Sequence, residues 1–156
     1  MEYLYNPERT TYSRDNSQEC PFCSKFDMTD EQKYEHLIVY RNNCAVIMMN
    51  KFPYNPGHLL VIPIVHSNKF YSNDYLDLLL EDAVNAARKV CNTEDINIGM
   101  NIGKSSGGSV QSHIHWHVVP RFIGDTNFLA VISNTKVVTK DIKTMYDLYR
   151  EYFDGL

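Results

Sequence analysis

Residues 107 to 121 read GGSVQSHIHWHVVPR, and this stretch decides how the rest of the chain is interpreted. Three histidines, His113, His115 and His117, alternate with the apolar residues Ile114 and Trp116. Because successive side chains of a β-strand point to opposite faces, the pattern predicts a strand with three imidazoles on one face and its apolar residues toward the core. Neighbouring imidazoles would stand roughly 6.5–7 Å apart and could share one phosphate group. The alternative is an edge strand that carries solvated histidines.

The same segment resembles a known protein family. The run from His113 to Val119 (HIHWHVV) is similar to the signature of the histidine-triad (HIT) family of nucleotide hydrolases and transferases. The continuation from Pro120 to Phe128 (PRFIGDTNF) resembles more particularly the branch of diadenosine-tetraphosphate phosphorylases. The family resemblance covers residues 20 to 121. It implies an α+β fold with a five-stranded antiparallel sheet and two main helices, and it implies a homodimer, since family members usually pair.

Composition and length limit the possible classes of protein. A chain of 156 residues is long enough to bury one self-sufficient core. We interpret residues 20–156 as a single HIT-like domain and residues 1–19, which show no sustained periodicity, as an irregular N-terminal arm. The net charge of −4, without a block of like charge, argues against nucleic acid as a partner. No apolar run approaches the ~20 residues of a membrane span and no secretory signal opens the chain, so we predict a cytoplasmic protein without membrane association.

Periodicity predicts the remaining elements. Apolar and β-branched runs predict strands at 36–40, 44–50, 58–63 and 96–102. Apolar residues that recur every three or four positions predict helices at 73–91 and 139–153.

Cys20 and Cys23 form a Cys-x-x-Cys pair, which is a spacing typical of zinc sites. One such pair is half of a tetrahedral site. The candidates for the other half are His66, after a predicted strand end, and His113, and zinc-containing relatives in the family use the corresponding residues. Four protein ligands would make the zinc structural. The alternatives are a redox dithiol and a pair without metal, and we expect no organic cofactor.

A glycine-rich turn, GKSSGGS at residues 103–109, precedes the triad. It is not a P-loop, because the upstream glycine spacing is missing and no helical pattern follows. Backbone N–H groups in such a turn can approach an anion without steric hindrance from side chains. The turn and its neighbours therefore supply the candidate phosphate ligands, which are Asn101, Gly107, Gly108, Ser109 and, less directly, Gln111.

The resemblance also implies a nucleoside pocket. In the family, the loop that corresponds to residues 50–57 and the strand before it border the nucleoside. By this correspondence Asn50 would hydrogen-bond the ribose, Phe22 and Met48 would flank the base, and His58 would support the triad from behind. The alternatives are that Asn50 caps a strand and that Phe22 and Met48 are ordinary core residues.

A neutral imidazole is a competent nucleophile near pH 7 and a good leaving group once it is bonded to phosphorus. We expect the central His115 to attack the α-phosphate, and the resemblance makes the same assignment. Its other nitrogen must then donate a proton to a fixed acceptor, such as a backbone carbonyl. His117 would hydrogen-bond the α-phosphate or the bridging oxygen and help the leaving group depart.

These residues predict transfer of a nucleotidyl group through a nucleotidyl-histidine. The branch resemblance favours inorganic phosphate as the acceptor, so that diadenosine tetraphosphate would yield ADP and ATP. Water as the acceptor would instead give a hydrolase of dinucleoside polyphosphates or nucleoside phosphoramidates. Two further alternatives are a nucleotide-binding module with little catalysis and a catalytic metal held by all three triad histidines.

Overall fold

The computed structural model describes residues 19–26, 28–108, 110–132 and 140–156. Neighbouring strands of its single sheet run antiparallel. The strands are β1 (Ile38–Arg41), β2 (Ala45–Met49), β3 (Leu59–Pro63), β4 (Ile96–Gly99) and β5 (Trp116–Pro120). Their spatial order is β1-β2-β3-β5-β4, so β5 lies between β3 and the edge strand β4.

The helices are α1 (Asp30–Glu35), α2 (Asp74–Cys91), α3 (Phe128–Ile132) and α4 (Ile142–Asp154). The two long ones, α2 and α4, match the helices predicted from periodicity. Asn73 caps α2 by accepting a hydrogen bond from the Leu76 N–H at 2.9 Å, and Asp141 caps α4 in the same way. The predicted α+β fold with a five-stranded antiparallel sheet is confirmed. None of the helices in the described ranges combines the length and apolar character needed to cross a membrane.

Each face of the sheet carries its own apolar cluster. On one face α2 and α4 pack against the sheet, and this cluster includes Ile114, Trp116 and Val118. On the other face Phe22 and Val110 pack with residues of β1, β2 and β3. Ile114, Trp116 and Val118 thus point to the face covered by the long helices, as predicted. The histidines lie on the other side, where Phe22 of the second cluster contacts His113 and His115, so they pack against core residues.

The strand that contains the triad is shorter at its start than the sequence pattern predicts. β5 begins at Trp116, so only His117 lies within it, while His113 and His115 precede it. Pairing with β3 ends at Val61 opposite Trp116, and β3 itself ends at Pro63. The residues immediately before Trp116 and those immediately after Pro63 are not paired as strands, although Ile114 donates its N–H to the Ser67 carbonyl at 2.7 Å.

The predicted N-terminal arm, residues 1–19, lies outside the described residues except for Glu19. The arm therefore stays a prediction.

Candidate active site

His115 is buried, and its Nδ1 lies 3.0 Å from the carbonyl oxygen of His113. A carbonyl oxygen only accepts, so Nδ1 carries the proton and Nε2 keeps its lone pair. Every fully buried side-chain nitrogen or oxygen in the described ranges has a hydrogen-bond partner. Nε2 of His115 has no hydrogen-bond partner among the described residues, so this atom must be accessible to solvent. Burial also lowers the pKa of His115, so the ring is neutral at pH 7.

His117 has its tautomer set by a second histidine. Nδ1 of His58 accepts a hydrogen bond from the Tyr54 N–H at 3.1 Å, so its proton is on Nε2. That Nε2–H points at Nδ1 of His117, which lies 2.9 Å away and accepts. The remaining proton of neutral His117 is therefore on Nε2.

The electrostatics of the site keep His117 neutral. Burial, and then the nearby His115, lower the pKa of His117 to about 4. The ring centroids of His115 and His117 are 5.0 Å apart, closer than the spacing of two strand positions, and His115 lies outside β5. Nδ2 of Asn101 lies 3.4 Å from Nε2 of His117; because that ring nitrogen carries a proton, the pairing requires the amide turned over so that its oxygen accepts. The lone pair is thus on Nε2 of His115 and the proton is on Nε2 of the neighbouring His117.

The residues proposed to hold the nucleoside lie around these histidines. Phe22 is buried and contacts His115 edge-on, with ring centroids 5.1 Å apart. Met48 is buried in the same apolar cluster as Phe22. Nδ2 of Asn50 lies 3.3 Å from Nδ1 of His58, and its Oδ1 accepts from the Phe52 N–H. Asn50 therefore supports His58, and its predicted contact with a ribose stays a prediction.

The glycine-rich turn has the backbone freedom that its sequence predicts. A one-turn 3₁₀ helix spans Lys104–Ser106, and Gly107 follows it with φ of +90°, where residues with a Cβ are strained. Gly108 is buried, and a Cβ there would lie 3.2 Å from the Gly103 carbonyl oxygen. Gln111 is exposed, and Ser109 lies outside the described residues. The phosphate contacts of the turn stay a prediction.

Beside the triad, all four predicted metal ligands come together. Sγ of Cys23 lies 3.2 Å from Nδ1 of His66 and 3.4 Å from Nδ1 of His113. Sγ of Cys20 lies 3.4 Å from Nδ1 of His113, and all four ligand atoms lie within 4.8 Å of one another. Zn–S bonds of about 2.3 Å and Zn–N bonds of about 2.0 Å give tetrahedral ligand separations of roughly 3.3–3.8 Å.

The protonation of His113 fits a metal ligand. Its Nε2 lies 2.8 Å from the Pro63 carbonyl oxygen, so the proton is on Nε2 and the lone pair of Nδ1 faces the two thiols. A redox dithiol normally opens an α-helix, whereas Cys23 begins a 3₁₀ turn that ends at Lys25. Two soft thiols with two imidazoles make a donor set that suits zinc.

The geometry argues against one catalytic metal on all three triad histidines. Both ring nitrogens of His113 are engaged, by the Pro63 carbonyl and by the thiols. Nδ1 of His115 and Nδ1 of His117 are also engaged, so the three rings do not aim lone pairs at one point.

Sequence reasoning missed a polar cluster next to the site. The guanidinium of Arg121 donates to both carboxylate oxygens of Asp125, at 2.6 and 2.8 Å. Asp125 also accepts from Nδ2 of Asn55 at 2.7 Å. These bonds hold the pKa of Asp125 well below its usual range and raise that of Arg121. A cleft of about 320 Å³ adjoins the cluster and is lined by Tyr54, Asn55, Asn97, Val119, Arg121 and Thr126. The PRFIGDTNF motif contains both Arg121 and Asp125 and was the sequence signal that could have indicated this cluster.

A sheet of this order, with histidines at alternate positions leading into and within β5, is typical of a histidine-triad protein. A family model for the HIT domain matches residues 31–124, and the chain belongs to this family. The match and the fold confirm the family that the sequence resembles.

Comparison with individual proteins adds detail. The AP-4-A phosphorylase of Mycobacterium tuberculosis is 33% identical over 155 residues, which cover 88% of this chain and 77% of that protein. This similarity agrees with the predicted branch. A Zn-bound histidine triad family protein from Mycobacterium smegmatis aligns with a TM-score of 0.64 and 25% identity, covering 88% of this chain and 94% of that one. A hypothetical histidine triad nucleotide-binding protein from Sulfolobus tokodaii shares the fold, with a TM-score of 0.65, 22% identity and coverage of 87% and 93%.

Proposed function

We propose that this protein transfers the nucleotidyl group of a dinucleoside polyphosphate to inorganic phosphate, as a diadenosine-tetraphosphate phosphorylase. The observation that carries the proposal is the pairing of tautomers. Nδ1 of His115 is held by the His113 carbonyl, which leaves Nε2 as a nucleophile, while the neighbouring His117, whose ring centroid is 5.0 Å away, carries its proton on Nε2. The similarity to the M. tuberculosis phosphorylase supports the choice of substrate and acceptor.

In the first step, the lone pair of His115 Nε2 forms a bond to the α-phosphorus. The bond from that phosphorus to the bridging oxygen breaks, and its electron pair leaves on the oxygen of ATP. His117 donates a hydrogen bond from Nε2 to this oxygen, which stabilises the developing charge without giving up its proton. The Nδ1–H of His115 remains hydrogen-bonded to the His113 carbonyl oxygen, and this bond stabilises the positive charge on the substituted ring.

In the second step, an oxygen of inorganic phosphate bonds to the α-phosphorus of AMP-His115. The phosphorus–nitrogen bond breaks, its electron pair returns to Nε2, and ADP is released. Asn101, Gly107, Gly108, Ser109 and Gln111 are the proposed phosphate contacts, and Asn50, Phe22 and Met48 are the proposed nucleoside contacts.

We also propose a structural zinc ion on Cys20, Cys23, His66 and His113. With four protein ligands the ion would have no open position for substrate. Its contribution would be to fix His113, whose carbonyl in turn holds the reactive tautomer of His115.

A homodimer that forms through the sheet edge is the proposed assembly. β4 pairs only with β5 among the described strands, so no described strand pairs with its other edge. Ile98 on this strand and Ile102 just after it are 51% and 56% exposed. An apolar strand edge of this kind favours pairing with a second copy.

The acceptor is tested by incubating the protein with diadenosine tetraphosphate in the presence and absence of inorganic phosphate. A phosphorylase yields equal amounts of ADP and ATP, and only when phosphate is added. Release of AMP and ATP without phosphate would instead identify a hydrolase. Binding without turnover would identify a nucleotide-binding module and contradict the proposal.

A further inference from the structure

The segment after β5 has no part in the chemistry described above, yet it builds a buried carboxylate. The side chain of Asp125 is only 8% exposed. It accepts hydrogen bonds from Arg121, Asn55, Thr126 and the Phe122 N–H. Because the Arg121 side chain is 41% exposed, solvent screens the ion pair and its net contribution to folding is small. Its more specific effect is on geometry.

Asn55 connects this carboxylate to the backbone segments that carry His58 and His117. Its Nδ2 donates to Asp125 and, at 2.7 Å, to the carbonyl oxygen of Pro120, the last residue of β5, which also carries His117. The backbone carbonyl oxygen of Asn55 accepts the backbone N–H of His58 at 3.2 Å. The fully buried Asn55 side chain thus ties the strand that carries His117 to the loop that Asn55 shares with His58.

We infer that Asp125 is a positioning residue for His117. Together with Arg121 it orients Asn55, and Asn55 holds His58 where its Nε2–H fixes the Nδ1 of His117. The Nε2–H of His117 then stays aimed at the leaving oxygen. This inference rests on the proposed function, because it assigns the cluster to the departure of the leaving group.

A purely structural role and a positioning role predict different kinetics. If the cluster only stabilises the fold, its loss slows all substrates alike. If it aims the Nε2–H of His117, its loss matters most where the leaving oxygen accumulates the most charge. Aryl esters of AMP separate these cases, since phenol is a poor leaving group and 4-nitrophenol is a good one.

The experiment measures phenol release in a single turnover, which reports the first step alone. The variants are Asp125→Asn and Asn55→Ser, and the second of these leaves the ion pair with Arg121 intact. Asp154→Asn is the matched control, because Asp154 also pairs with an arginine four residues earlier, Arg150, at 2.9 Å, in helix α4.

We expect both cluster variants to release phenol at least about tenfold more slowly than the wild type, and 4-nitrophenol at most about threefold more slowly. The control should stay within about twofold of the wild type for both esters.

Equal slowing of the two esters by the cluster variants would overturn the inference and leave the proposed function standing. Failure of both variants to fold would also overturn it, since the cluster would then serve stability. A wild-type protein that releases neither phenol nor 4-nitrophenol would contradict the proposed function itself.

Discussion

Nε2 of His58 donates a hydrogen bond to Nδ1 of His117 across 2.9 Å, and both rings are buried. This contact fixes which nitrogen of His117 carries the proton that faces the substrate. A residue outside the triad therefore determines what the last triad histidine can do. Burial and the nearby His115 keep His117 neutral over the physiological range.

The neutral state of His117 predicts how stability depends on pH. The pKa of His117 is about 4 in the folded protein, against about 6.5 in an unfolded chain. Between these values the unfolded chain binds an extra proton, so the free energy of unfolding falls as pH falls from about 6.5 to about 4. Between pH 8 and pH 5 we expect His117→Gln to remove on the order of 2 kcal/mol of this loss, because glutamine does not titrate.

Urea unfolding at pH 8, 6.5 and 5 measures this dependence. At pH 8 His117 is neutral in both states and serves as the reference. An identical change between pH 8 and pH 5 in the wild type and in His117→Gln would show that His117 does not have a lowered pKa.

Gly57, which precedes His58, occupies a position where the structure leaves no room for a Cβ. Its φ is +80°, and a Cβ there would lie 2.2 Å from Sγ of Cys91 and 3.0 Å from the hydroxyl of Tyr149. We expect Gly57→Ala to lower the free energy of unfolding by at least about 3 kcal/mol, since strain and overlap add. Gly124→Ala is the control, because Gly124 has the same φ with open space around it. It should cost about 1 kcal/mol, and equal losses in the two variants would refute the packing argument.

Zinc content tests the cluster of cysteines and histidines. Metal analysis of the purified protein should find one zinc ion per chain, and Cys23→Ser should lose it and unfold at a lower temperature, since metal binding is coupled to folding. Cys44→Ser is the control, because Cys44 is half-buried and lies outside the ligand cluster. A wild type without zinc, or a control that loses zinc as readily, would argue against the site.

The exposed edge of the sheet predicts the assembly. Sedimentation should give a dimer for the wild type and a monomer for Ile98→Glu, because a charge on a strand edge opposes pairing. Ile123→Glu adds the same charge at a fully exposed loop position and should remain a dimer. A monomeric wild type, or a dimer that survives Ile98→Glu, would contradict pairing through β4.

The fold and much of the site follow from local sequence patterns. Apolar residues at helical spacing predict α2, and the alternation of histidines with Ile114 and Trp116 predicts which way the imidazoles point. The spacing of Cys20 and Cys23, with two histidines as candidates, predicts a ligand set that the fold brings together. These features depend on side-chain periodicity and ligand chemistry, which a single sequence contains.

The rest depends on contacts between distant parts of the chain. The start of β5 at Trp116 depends on where β3 leaves the sheet, which no periodicity near the triad encodes. Asn55 and Asp125 are 70 residues apart, so neither residue alone indicates their hydrogen bond. The tautomer of His117 likewise follows from a backbone N–H of Tyr54, through His58.

The assignment of Nε2 of His115 as the nucleophile is tested by trapping the nucleotidyl-histidine intermediate. The protein is mixed with diadenosine tetraphosphate without phosphate, quenched in base to preserve the phosphorus–nitrogen bond, digested and analysed by mass spectrometry. AMP is expected on the peptide that contains His115, with no adduct in His115→Ala, and this variant should form no ADP or ATP when phosphate is added. AMP on another residue, or turnover by His115→Ala with phosphate present, would contradict the assignment.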